Sequence, residues 1–163
     1  MVIAVDSVLV VRRSIHIKAS PERVWQEFES SEQMSRWWGL VVGDTNAGSG
    51  NGQHLRIYEP RVGGTIEMEI TLDGEPTRYG GAIKVYDPGC ELTFESDWIP
   101  NRGWLQPTLV TIRLTPALGG TLVELMHHGF ENTGPGAFDE FVGYEEGWGM
   151  LQLIALRNAV QQG

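Results

Sequence analysis

The sequence predicts an α+β fold: a curved antiparallel sheet of about six to seven strands around a long C-terminal helix, with two short helices after strand 1. Three observations predict it. Between residues 54 and 130, apolar and polar residues alternate in short runs separated by Gly, Pro and Asp turns. Residues 137–160 carry apolar side chains at spacings of four and three. Between them, strand and helix signals follow the order strand, two short helices, strands, long helix. A lone sheet with one apolar face must cover it, and only the C-terminal helix is long enough to do so.

Each element has its own signature. Residues 8–18 (VLVVRRSIHIK) are β-rich and end in alternation, with Ile15 and Ile17 opposite His16 and Lys18; this reads as a strand. Ser20-Pro21-Glu22 starts a helix: an N-cap, a proline suited to the first helical position and an acid that complements the helix N-terminus. Val24, Trp25 and Phe28 share one face of it. Ser30-Ser31 restart a second short helix ending near Trp37-Trp38, with Gly39 as its stop. Residues 43–53 (GDTNAGSGNGQ) are too rich in Gly, Asn and Ser to build a core and form a long loop.

Strands follow over 54–59, 65–72, 77–86, 91–98, 108–115 and 121–130. The clearest alternations set Ile66, Met68, Ile70 and Leu72 against Thr65, Glu67, Glu69 and Thr71, and Leu92, Phe94, Ser96 and Trp98 against Glu91, Thr93, Glu95 and Asp97. The carboxylate faces are expected to meet water. Asp73-Gly74 is a hairpin signal. Val110, Ile112 and Leu114 share a face, as do Val123, Leu125 and His127. Sequential strands with short turns imply a meander, packed inside and wet outside.

In the long helix, Ala137, Phe141, Tyr144, Trp148, Leu151 and Ala155 form one stripe. A second stripe (Leu153, Leu156, Val160) predicts either a broader core or a dimer contact, so the chain is expected as a monomer or homodimer. Gly143, Gly147 and Gly149 each cost about 1 kcal/mol relative to Ala in a helix interior. Either the first turns are irregular or something approaches the backbone closely there.

Bulk properties exclude several functions. The 163 residues are 41% apolar, which suits a single domain over 1–163 with its core at about 10–160. The net charge is −9, from 12 Lys+Arg against 21 Asp+Glu. An acidic chain without a basic cluster argues against nucleic acid and anionic membranes. No run approaches a membrane span and no signal-peptide pattern opens the chain. Cys90 is the single cysteine, which fits a reducing compartment and predicts a cytoplasmic location. No metal-ligand spacing occurs among the four histidines, no phosphate-binding loop and no nucleophile elbow is present, and no cofactor is predicted.

Several pieces together resemble a known family. They are residues 17–25 (IKASPERVW), Trp37-Trp38, Gly63-Gly64, Asp87-Pro88 followed by Leu92-Thr93-Phe94, residues 111–116 (TIRLTP), Gly120-Thr121 with Glu124-Leu125, His128-Gly129-Phe130, and Gly147-Trp148 with Leu151. Their order and spacing over about residues 10–160 resemble the Aha1-type (activator of Hsp90 ATPase homologue) branch of the START-like, or Bet v 1-like, superfamily. The 43–53 and 99–107 stretches depart from the pattern. The resemblance implies the helix-grip fold and a hydrophobic cavity between sheet and helix. It does not imply one activity, since the superfamily spans lipid carriers, hormone receptors, cyclases and co-chaperone-like domains.

The residues expected to line such a cavity are Trp38, Phe94, Ser96, Trp98, Val110, Ile112, His127, Phe141, Tyr144 and Trp148. They suit a small hydrophobic or amphipathic ligand held without catalysis. His127 points inward by alternation and is more often a satisfied core histidine than a base. The first alternative is a protein-interaction module acting on an Hsp90-type chaperone, as the resemblance suggests. The second is a cyclase- or hydrolase-type enzyme using His127 and Tyr144.

Overall fold

A computed structural model describes residues 9–38, 53–72 and 74–162. The expected Gly39 helix stop, the expected Gly-rich loop up to Gly52, and Asp73 lie outside the described residues. Seven strands form one sheet: β1 (Val11–Ile17), β2 (Gln53–Tyr58), β3 (Thr65–Leu72), β4 (Glu75–Asp87), β5 (Glu91–Ile99), β6 (Thr108–Ala117) and β7 (Gly120–His128). Their order is β1-β7-β6-β5-β4-β3-β2 and every pairing is antiparallel. β2 to β7 run as a meander, while β1 returns to pair with β7. The two edge strands are therefore consecutive in sequence.

The sheet curls. Gly80 (φ +149°) and Gly81 lie mid-strand in β4; a Cβ on Gly80 would strike the Ile66 carbonyl, and one on Gly81 would strike Glu95. β3 and β5 thus close in on β4 more tightly than any side chain permits. Register shifts between Leu55 and Ile57 and between Ile83 and Val85 add further bending.

The connection from β1 carries α1 (Pro21–Trp25), a 3₁₀ turn (Gln26–Phe28) and α2 (Ser31–Ser35). Both α-helices have the expected serine caps: Ser20 Oγ accepts from the Arg23 N–H and Ser30 Oγ from the Gln33 N–H, each at 3.1 Å. Trp25 stacks on Phe28 with ring centroids 4.6 Å apart. These rings join Ile17, Trp37, Ile66, Met68, Leu92, Phe94 and Leu125 in one core.

The C-terminal segment corrects the expectation of a single long helix. It is two helices, α3 (Ala137–Gly147) and α4 (Leu151–Gln162), separated at Trp148, whose backbone is extended (φ −73°, ψ 125°). Arg13 of β1 holds the break. Its guanidinium donates to the Trp148 carbonyl at 2.9 Å and to the Glu145 carbonyl at 2.8 Å, groups that a terminating helix leaves unsatisfied. α4 packs in the core through Leu153, Leu156, Ala159 and Val160, so the second stripe broadens the core within this chain. α3 buries no residue fully.

An ionic cluster fastens α4. Glu27, 1% exposed, pairs with Arg23 at 2.9 Å and Arg36 at 3.6 Å. Both arginines also donate to the Ala159 carbonyl, and Arg23 to that of Val160. One buried carboxylate thereby fixes two cations at the carbonyl end of α4, where the helix dipole favours them.

A second correction concerns the carboxylate faces. Glu67 is buried at 8% exposure, accepting from Arg56 at 2.7 Å and Arg78 at 3.4 Å. Alternation places Glu67 opposite the core, but the neighbouring arginines cover it. Among the described residues no helix is long and apolar enough to cross a membrane.

Candidate functional site

Between the concave face of the sheet and α3 lies a cleft of about 700 Å³. Strands β3 to β7 supply one wall through Ile70, Tyr79, Phe94, Val110 and His127. Trp38 stands after α2, and α3 with the helix break supplies Tyr144, Gly147, Trp148 and Gly149. Tight curl in β4 and a helix that buries none of its residues fully keep this space unfilled.

Eight of the ten residues expected at such a site line the cleft: Trp38, Phe94, Ser96, Trp98, Val110, His127, Tyr144 and Trp148. Two do not. Ile112 is fully buried in the core, one pleat further along β6. Phe141 turns to Phe130 and Phe138, with centroids 5.7 and 6.2 Å away. Sequence reasoning about the cleft missed Asp97, which stands in the lining although alternation puts it with Glu91 and Glu95, and also Gln53, Asp139 and Glu140. Trp104 completes the wall from the 100–107 loop, its ring 6.5 Å from Tyr144.

His127 is the most constrained group in the wall. It is 2% exposed. The Trp148 indole N–H donates to its Nδ1 at 3.0 Å, and its Nε2 lies 2.8 Å from Thr108 Oγ1. An indole nitrogen only donates, so Nδ1 carries the lone pair and Nε2 the proton. The Thr108 hydroxyl then donates onward to the Ser96 carbonyl at 2.7 Å. The chain of donors runs one way, Trp148 to His127 to Thr108 to Ser96, and uses both ring nitrogens. Burial, with a smaller push from His128, lowers the His127 pKa to about 3.

Tyr144 stands edge-on to His127, with centroids 4.8 Å apart. Burial first, then the Glu140 and Asp97 carboxylates, push its hydroxyl up to about 12, against the opposing charge of Arg102. Burial likewise raises Tyr79. Both phenols therefore face the cleft as neutral donors. The Trp38 indole N–H and the Gln53 amide nitrogen are buried without a hydrogen-bond partner among the described residues.

The glycines of α3 and of the break after it answer the question their sequence position raises. A Cβ on Gly143, Gly147 or Gly149 would meet nothing within 4 Å. Among the described residues no backbone crosses there, and all three glycines line the cleft. Among the described residues no group of three or more His, Cys, Asp or Glu side chains is placed to hold a metal ion.

A family model described as Activator of Hsp90 ATPase homolog 1-like protein matches residues 18–157. No curated protein matches the chain. Among solved structures, the chain is similar to an NMR structure of a protein from Arthrobacter aurescens at 20% identity and TM-score 0.69, covering 96% of this chain and 92% of that one. A crystal structure of a protein from Chromobacterium violaceum gives 21% identity and TM-score 0.66, covering 93% and 96%. The solution structure of the Aha1 dimer from Colwellia psychrerythraea gives 19% identity and TM-score 0.60, covering 93% and 95%. Likenesses at these identities speak for the fold.

Proposed function

Starting from the fact that this chain belongs to the Activator of Hsp90 ATPase homolog 1-like family, within the START-like superfamily, we propose that it is a non-catalytic binding domain. It takes a small apolar or amphipathic molecule into the cleft between the sheet and the C-terminal helices. The observation that carries this reading is the lining of the 700 Å³ cleft: aromatic side chains from β4, β5, α3 and three connecting segments around a histidine whose nitrogens are both occupied. Such a lining suits burial of a flat apolar body, with a few polar groups fixing its orientation. The Tyr144 and Tyr79 hydroxyls can donate to an oxygen on it.

The same hydrogen bonds speak against general-base chemistry at His127. A base needs an available lone pair within reach of the substrate proton, and Trp148 occupies that of Nδ1. The lone cysteine and acidic surface support a cytoplasmic setting.

Native mass spectrometry of the purified protein tests the reading. A retained mass of a few hundred daltons, released by denaturation, is the expected result. A thermal-shift screen with apolar compounds that are cationic, neutral or anionic provides the second arm. If no compound class raises Tm and no mass is retained, the reading fails.

The family's description brings a second reading, regulation of an Hsp90-type chaperone. It predicts a changed chaperone ATPase rate when this protein is added; an unchanged rate removes it.

A further inference from the structure

We propose that the cleft selects a molecule with an aromatic or polycyclic body and a protonated amine, in preference to a carboxylate or phosphate of the same shape. This rests on the binding reading above and adds the charge of the ligand to it.

The first observation is an imbalance of charge. Asp97, Asp139 and Glu140 stand in the lining of the cleft, and no Lys or Arg does. None of residues 1–8, 39–52, 73 or 163 is Lys, Arg or His, so the segments outside the described residues hold no basic side chain. The histidine in the wall is neutral, since its Nδ1 accepts the Trp148 proton. An anionic head group carried into this space would thus meet no cation in the lining itself, and a poorly paired ion leaves water only at a high cost.

The second observation is how those carboxylates are placed. Asp97 and Glu140 come from opposite walls, β5 and α3, yet both act on the Tyr144 hydroxyl, raising its pKa. The carboxylates therefore share one region, over a phenol and beside the rings of Trp98 and Trp104. Aromatic faces with carboxylates behind them bind ammonium groups through the negative face of each ring. One wall residue already does so: the Arg102 guanidinium lies 4.6 Å from the centroid of the Trp98 ring. Arg102 also acts on the Tyr144 hydroxyl, and its guanidinium is engaged on the Trp98 ring. Asp97 is partly used as well, by Asn101 at 2.8 Å and the Trp98 N–H at 2.7 Å. Asp139 and Glu140, exposed in the first turn of α3, make no ion pair among the described residues.

The third observation lies deeper. Trp38 is 2% exposed and its indole N–H has no partner among the described residues. A neutral oxygen on the ligand body, such as a ketone or ether, suits that donor; a single neutral donor does not compensate a full negative charge.

Three matched probes test the inference on the full chain: 2-(2-naphthyl)ethylamine, 2-(2-naphthyl)ethanol and 2-naphthylacetate, titrated by calorimetry with tryptophan fluorescence as a second readout. The expected order is amine over alcohol by about tenfold, with the carboxylate weakest. In the double variant Asp139→Asn, Glu140→Gln, the amine-over-alcohol ratio should fall toward one. Equal binding of amine and alcohol, or tightest binding of the carboxylate, overturns the charge inference and leaves the binding reading standing. Binding by none of the three overturns both. An undiminished amine preference in the double variant overturns the role given to α3.

Discussion

Protonating His127 would break its bond from Trp148, because an imidazolium has no nitrogen left to accept. The folded protein resists that step, so its pKa is about 3 instead of the ordinary 6.5. The unfolded chain takes up a proton at this position as pH falls through 6.5; the folded chain does so only near 3. Stability contributed by the neutral ring is therefore whole above pH 6.5 and is lost as pH falls through that window. In His127→Leu the site no longer titrates, and urea unfolding should show a smaller loss of stability between about pH 7 and pH 4 than the parent. The same change strands the Trp148 N–H and is expected to cost about 1–3 kcal/mol at neutral pH. Trp148→Phe is the complementary test: it frees Nδ1, and the imidazole shifts followed by NMR should titrate at a higher pH than in the parent. Alternation alone had turned His127 inward, and the indole that satisfies it lies 21 residues away on another element. No pattern within β7 carries that partnership.

Where α3 meets α4, the local order is set from outside the helices. Arg13 satisfies carbonyls at 145 and 148 from across the sheet edge. Arg13→Met should keep the stem and remove the donors, so amide exchange is expected to speed up around residues 145–150 while the strands stay protected. Gly143→Ala is expected to act in the opposite direction on stability. The new methyl group meets no atom within 4 Å and removes a helix-interior glycine, which should add up to about 1 kcal/mol in chemical denaturation. Gly143 lines the cleft, so the same change is expected to lower ligand affinity, read by titration calorimetry. Strands were legible because alternation has a period that neighbouring residues reveal directly: β3 begins and ends where the pattern does. The helix break was not, since the apolar stripe continues through Trp148 into Leu151 as if one helix carried it. Yet Leu151 is 54% exposed and faces the cleft. The stripe marks a surface that looks toward open space, and periodicity reports a face without saying what fills the space before it. Glu67 shows the converse: its face was legible, but not the two arginines that cover it.

At the scale of the whole molecule, a core on one side and a cleft on the other share one curved sheet. The core half is fastened by Glu27 and its two arginines. Glu27→Gln is expected to destabilise by about 1–3 kcal/mol, less than a wholly buried pair, because Arg36 keeps much of its contact with water. The cleft half gains further stability when it is occupied. A ligand at a hundred times its Kd should add about 2.7 kcal/mol, which for a chain of this size means a rise in Tm of roughly 5–10 °C. The spared space at Gly143, Gly147 and Gly149 has a further consequence, one of inheritance. A glycine codon becomes an alanine codon by a single base change, and at these positions the added methyl group displaces nothing. Each is a step by which descendants of this gene could narrow the space one carbon at a time, trading one cargo for a slimmer one without remaking the scaffold. Divergence of ligand among relatives would then begin in α3 and the break after it, ahead of any change in the strands.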